Sequence, residues 1–228
     1  MERLFNGYTL HIPEGAFPLS TDTMALSGFV NLHKNDTVLD LCSGCGSLGL
    51  LLCAGNDSCR VTGVELSEIS HEAALQNIAD NDLSHRLSSV CADIRDIPSL
   101  VSPGSFTCCV SNPPYFAAGP ESKLPTARRE DLCSLDDLFA SAAWALRYGS
   151  DFYLVHRPER LAEICACGAK YKLEPKRLCL LRHRSDGPVS LILLQCRKGG
   201  KPGLLWEEFS LHNPDGNETD AYKKLYHL

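Results

Sequence analysis

The chain has 228 residues, 44% of them hydrophobic and 22% charged, proportions of a globular protein able to bury one sizeable core. No run of about 18 apolar residues occurs, and the start, MERLFNGYTLHIPEGAF, lacks the apolar stretch of a signal peptide, so neither a membrane span nor a secreted form is expected. Twelve cysteines in that setting are expected to be reduced thiols of a cytoplasmic protein, and a net charge of −6 argues against tight unaided binding of bare nucleic acid.

Residues 1–36 are expected to form a segment that caps the domain. TVLDL (37–41) is a short apolar run ending near Asp40; a turn holding Gly44 and Gly46 follows, then the apolar helix SLGLLLCA. RVTGVEL (60–66) is a second strand, closing on Glu65 and Leu66. In the helix after it, SEISHEAALQNIADND, Ile69, Ala73, Ala74 and Ile78 share one face at helical spacing, and Ser67 serves as N-cap. LSSVCAD (87–93) and SFTCCVS (105–111) are the third and fourth strands. SLDDLFASAAWALRYG (134–149) reads as one helix from an N-cap at Ser134 to Gly149 beyond its C-terminus. DFYLVH (151–156) is strand five, followed by a helix in RPERLAEICACGA. KRLCLLRH and VSLILLQCRK are two further strands, separated by the turn cluster RSDGP. The alternation predicts an α/β fold: a Rossmann-like, seven-stranded, mostly parallel sheet ending in an antiparallel hairpin. It is expected to be a single domain over 1–228, with 203–228 as a partly ordered tail in which DAYKKLY could form a helical turn.

Three acids mark the ends of the first three strands. Asp40 precedes a glycine turn at the head of a helix, where a backbone can approach a ligand closely. A structural strand-to-helix turn would carry the same glycines. Gly44, Gly46 and Gly49 carry the G-x-G-x-x-G spacing that dinucleotide sites also use, but the acid at the strand end suits the cationic amino group of S-adenosylmethionine (SAM). Glu65 lies 21 residues beyond Gly44, where a carboxylate would hydrogen-bond ribose hydroxyls. Asp93 is placed to accept from an adenine amino group, with Ile94 against the ring; Leu66, beside Glu65, is counted with the cofactor-binding residues. In open α/β sheets ligands bind at the carboxyl ends of the strands.

The fourth strand ends in VSNPPYF. Neither Pro113 nor Pro114 has an N–H for a ladder, so the strand stops and a stiff turn begins. It presents the Asn112 carboxamide, the Pro113 carbonyl and the Tyr115 ring, with Phe116 next. Methyl transfer to a planar exocyclic or amide nitrogen needs such groups. Two oxygens accept the two N–H hydrogens and hold the poor nucleophile in line, stabilising positive charge as it develops. An aromatic ring replaces the stacking lost by an extruded base.

On these residues the chain resembles the amino-methyltransferase branch of class I SAM-dependent methyltransferases, whose signature here is N/D-P-P-Y/F. More closely it is similar to the bacterial tRNA1(Val) adenine N6-methyltransferase family, through FPLSTDTMALSGF, VLDLCSGCG, GVELSE, SNPPYF and TARREDLCSLDDL. The resemblance implies a tRNA substrate, and places Asp22 and Thr23 near the amino-acid end of SAM. It sets Cys42 where the family's loop usually has its first glycine, so that position must tolerate a side chain. Arg129 stands where His is more frequent.

The connection from 116 to 133 carries Lys123, Arg128 and Arg129, expected to contact substrate. Residues 151–202 hold eleven basic against five acidic residues, among them Lys170, Lys172, Lys176, Arg177, Arg182 and Arg184. These could track phosphates or simply be solvated. Cys42-x-x-Cys45 and Cys165-x-Cys167 lack the paired arrangement of a zinc site, and no metal is expected. No motif specifies an oligomeric state. A protein glutamine N5-methyltransferase, an rRNA guanine N2-methyltransferase and a non-catalytic SAM- or RNA-binding module are the competing readings. The glutamine enzymes as a family carry an additional helical N-terminal domain, and the roughly 36 residues before the first strand count against that reading.

Overall fold

Strand runs and helical stripes alternate along the chain, and the computed structural model, which describes residues 2–4, 7–114 and 133–226, folds them into a layered α/β protein. A two-residue pair, β1 (Glu2–Arg3) with β2 (Thr9–Leu10), precedes α1 (Thr21–Phe29). Then come β3 (Thr37–Leu41), α2 (Ser47–Gly55), β4 (Arg60–Glu65), α3 (Glu68–Asp80), β5 (Leu87–Cys91), α4 (Ile97–Leu100) and β6 (Phe106–Ser111). After the undescribed 115–132 follow α5 (Leu135–Ala145), β7 (Leu146–His156), α6 (Leu161–Lys170), β8 (Leu173–Arg184), β9 (Val189–Lys198), β10 (Leu205–His212) and α7 (Asp220–Leu225).

The main sheet runs β10-β8-β9-β7-β6-β3-β4-β5. β7, β6, β3, β4 and β5 are mutually parallel, and β9 pairs antiparallel with both β7 and β8. The chain leaves β3 toward β4 and β5, then returns to β6 on the other side of β3. That reversal is where such sheets open a ligand crevice.

Successive residues along the strands point to opposite faces, and each face has its own core. Val38, Val61, Val110, Tyr153 and Val155 pack under α1, α2, α3 and α7. Leu39, Leu41, Val64, Cys109, Phe152 and Leu154 pack under α4, α5 and α6. Edge-to-face pairs, Phe29 with Tyr153 and Phe139 with Phe152, help fill the two layers. Among the described residues no helix is long and apolar enough to cross a membrane.

Three expectations change. The tail is not merely partly ordered: β10 adds an eighth strand, parallel to β8, and α7 packs on α1. At Gly28 a Cβ would lie 2.6 Å from the Cα and carbonyl oxygen of Leu225. Gly28→Ala gains about 1 kcal/mol in helix propensity but forces two backbones apart. A net loss of about 1–3 kcal/mol is expected in denaturant unfolding; equal or greater stability would contradict this packing.

The helix expected over 134–149 ends at Ala145, and residues 146–150 begin β7. Lys198 Nζ donates to the carbonyls of Ala143 and Leu146 at 2.6 and 2.7 Å, a cation on the helix's negative end. Gly149, with φ +82°, sits in the register shift between β6 and β7 instead of capping a helix. Ser134 does cap α5, in a reciprocal box with Asp137. Finally, Ile69 is 61% exposed, so the buried face of α3 is Ser70, Ala73, Ala74, Asn77 and Ile78.

Candidate active site

The parallel order β6-β3-β4-β5 sets four strand ends side by side: Asn112, the Asp40–Cys42 segment, Glu65 and Asp93. They share one cavity of about 500 Å³, within the range of small-molecule sites.

The floor is the loop from β3 to α2. Cys42, Gly44 and Gly46 adopt left-handed φ values of 61°, 55° and 79°. Cys42 therefore keeps the conformation a glycine would take, at a cost of about 1–2 kcal/mol. Its thiol lies 3.6 Å from that of Cys133; the bond to Cys133 and burial push the Cys42 thiol up, so it stays protonated. Ser43 N–H donates to the Val64 carbonyl at 3.1 Å. Gly63 permits that approach, because a Cβ there would meet Ser43 Oγ at 2.6 Å. Gly46 shapes the turn without lining the cavity.

Glu65 holds this loop. Its carboxylate oxygens accept the N–H of Gly44 and of Ser67, each at 2.8 Å. Asp93 is also engaged: it caps the short 94–96 turn by accepting from Arg95 N, and it takes the Arg95 guanidinium Nε at 2.9 Å. That pairing holds its carboxyl below the usual range. Ile94 is buried against the cavity, whereas Leu66 and Ile69, 47% and 61% exposed, form an apolar rim.

Asp40 is different. It is 1% exposed, and its Oδ2 has no hydrogen-bond partner. Burial, then the charge of Glu65, raise its pKa well above the ordinary carboxylate value. Among the described residues, three buried side-chain atoms are without partners: Asp40 Oδ2, Ser43 Oγ and Asn112 Oδ1. All three residues line this cavity. Buried polar groups are nearly always hydrogen-bonded, so a cluster of three orphans marks where a polar ligand belongs.

Asn112 follows β6, whose last residue, Ser111, donates to the Leu41 carbonyl at 2.7 Å and ties the two strand ends together. Pro113 and Pro114 continue the wall. Asn112 Nδ2 donates to Thr23 Oγ1 at 3.0 Å, bringing the first turn of α1 into the site. Asp22 does not line the cavity, whereas Thr23 does. Tyr115, Phe116, Lys123, Arg128 and Arg129 lie outside the described residues.

Sequence reasoning missed one wall. Glu14–Pro18 line the cavity, anchored by Asn77: its amide accepts from His11 N at 2.7 Å and donates to the carbonyls of His11 and Cys45 at 2.9 and 3.0 Å. An asparagine among the apolar positions of α3 was the available signal, since a buried amide needs partners.

The basic segment is in large part neutralised. Arg177 and Arg182 pair across strands with Glu207 and Glu208, Arg184 with Asp186, Lys170 with Asp136 and Arg197 with Asp151. Such exposed pairs add little stability, but they leave less positive potential for a phosphate backbone than the charge count implied. All twelve cysteines are free thiols, and among the described residues no group of three or more metal-ligating side chains gathers.

Residues 21–163 match the family model described as the methyltransferase small domain. A tRNA1(Val) (adenine(37)-N6)-methyltransferase from Shewanella halifaxensis is 31% identical over 165 residues, covering 71% of this chain and 65% of that relative's length. Among solved structures, a predicted O-methyltransferase from Agrobacterium tumefaciens superposes with a TM-score of 0.77 at 20% identity, over 91% of this chain and 96% of the other. Geranyl diphosphate C-methyltransferase from Streptomyces coelicolor, solved with S-adenosyl-L-homocysteine, gives 0.55 at 14% identity, over 77% and 78% of the two chains. At those identities the two structures establish the shared fold.

Proposed function

This chain belongs to the methyltransferase small-domain family, and on that premise we propose that it transfers a methyl group from SAM to the exocyclic N6 amine of adenine in tRNA. The observation that carries the reading is the buried, partnerless Asn112 Oδ1 in the wall of the strand-end cavity. A carboxamide oxygen there accepts one N–H of a planar amine, and the Pro113 carbonyl, next along the chain, is the natural acceptor for the other. The name and 31% identity of the Shewanella relative support adenine in tRNA as the substrate.

The residues present fit SAM, which would supply an electrophilic methyl on a sulfonium. Asp40 Oδ2 and Ser43 Oγ are the free polar atoms for its amino-acid end. Glu65, with one lone pair on each oxygen already taken by a backbone N–H, keeps others for ribose hydroxyls. Leu66 and Ile94 offer apolar surface for the adenine, with Asp93 at its edge. No general base is needed before transfer, because the amine becomes acidic only once methylated. Tyr115 and Phe116 are proposed to stack on the target base, and Lys123, Arg128 and Arg129 to contact the RNA. Free thiols suit a cytoplasmic enzyme.

Glu65→Ala removes both the loop's anchor and the ribose acceptor. SAM binding is expected to weaken by about 1–3 kcal/mol in calorimetry; unchanged affinity would remove Glu65 from the site.

The function is tested by offering tritiated SAM to an unmodified tRNA pool and, separately, to a protein pool. Label recovered as N6-methyladenosine is the expected result. Label in protein amides would move the substrate to glutamine with the same acceptor geometry. SAM binding with no label in either pool would make the chain a non-catalytic module.

A further inference from the structure

A carboxamide presents an oxygen on one side and an NH2 on the other, and half a turn exchanges them. Only one orientation offers the cavity an acceptor. In the structure Asn112 Nδ2 points away to Thr23 Oγ1 at 3.0 Å, and Oδ1 is left buried without a partner. Thr23 is well placed to hold it. The residue is 5% exposed and occupies the first turn of α1. There the N-cap Ser20 Oγ accepts its backbone N–H and lies 3.4 Å from its hydroxyl. With the Thr23 proton directed toward Ser20, its lone pair is free to accept from Asn112.

We propose that Thr23 is a positioning residue for methyl transfer, holding the Asn112 carboxamide with its oxygen toward the substrate amine. The proposal rests on the reading of Asn112 as the amine acceptor. It gives the 89-residue separation between α1 and the N-P-P turn a chemical purpose: Thr23, itself in the cavity wall, completes the catalytic group by fixing its orientation.

The test compares Thr23→Val, which keeps shape and loses the hydroxyl, with Thr23→Ser, which restores it; Thr23→Ala replaces the valine variant should that one not fold. In Thr23→Val the single-turnover rate on unmodified tRNA is expected to fall about 10- to 100-fold, the scale of a mispositioned catalytic group. SAM affinity by calorimetry is expected to stay close to that of the wild type, and Thr23→Ser to recover most of the rate. In nitrogen-15-labelled protein the Asn112 side-chain NH2 signal, assigned by its loss in Asn112→Asp, is expected to shift in Thr23→Val and not in Thr23→Ser. An unchanged rate overturns the proposal. So does a rate that Thr23→Ser does not rescue, or a SAM affinity that falls in step with the rate, since Thr23 would then act on the fold or on SAM directly. If the wild-type protein methylates no RNA, the functional reading fails instead, and the NH2 signal alone decides: unmoved, it overturns the Thr23 contact; shifted, it upholds it.

Discussion

Asn112→Ala is expected to lower the single-turnover rate of methyl transfer by about 10²–10³-fold, the loss seen when one preorganised group facing developing charge is removed. SAM affinity should barely change, because Asp40, Ser43 and the loop held by Glu65 remain. Stability should also change little. The substitution removes a buried oxygen that has no partner, which is favourable, and strands the Thr23 hydroxyl while opening a small void, which is not. Asn112→Asp keeps an oxygen acceptor and is expected to lose less activity. Rapid-quench measurement at saturating SAM separates these effects; near wild-type turnover in Asn112→Ala would sink the assignment.

The second large effect concerns Asp40. Its carboxyl is buried, and Glu65 is close enough to oppose its charge, so its pKa in the folded protein is raised. The unfolded chain titrates near the ordinary value of about 4. Between these two values the folded state binds the extra proton, so Asp40 lowers stability as pH rises through that window. Binding of a cation reverses the preference and expels the proton. SAM affinity is therefore expected to increase as pH rises through the folded pKa, with proton release seen as a buffer-dependent heat in calorimetry. Asp40→Asn removes the charge without the shape. The ligand-free protein is expected to be at least as stable as the wild type above the window. SAM binding at pH 8 is expected to weaken by about 1.5–3 kcal/mol, the worth of a charged hydrogen bond. Buffer-independent heats in the wild type would show that Asp40 does not meet the cation.

Most of the sheet was legible along the chain, because strand and helix periods are local and βαβ connections leave few ways to arrange them. Asp40, Glu65, Asp93 and Asn112 were legible for the same reason: parallel strands carry their C-terminal ends to one edge. The tail was harder. β10 finds its partner in β8, about thirty residues earlier in the chain, as in the pairing of Leu205 with Arg177, and nothing local announces a parallel edge strand. The end of α5 was misjudged because Gly149 suits a helix terminus and a bulge equally well; Lys198, from a distant strand, takes the carbonyls that end it.

What the amino-acid order determined alone was the alternation of elements, the acids and the Asn-Pro-Pro turn at successive strand ends, and thereby the kind of chemistry the site could hold. What only the tertiary structure decided was how each polar atom spends its lone pairs. Glu65 is committed to Gly44 and Ser67, Asp93 to Arg95, and the Arg177 and Arg182 charges to the acids of β10. Asp40 Oδ2 and Asn112 Oδ1 are left without a partner, and the Asn112 amide NH2 is held by Thr23. The physical reason is that hydrogen bonds and ion pairs are short-ranged and saturable, so which group remains free depends on the neighbours that folding brings within about 3 Å, and those neighbours come from far along the chain.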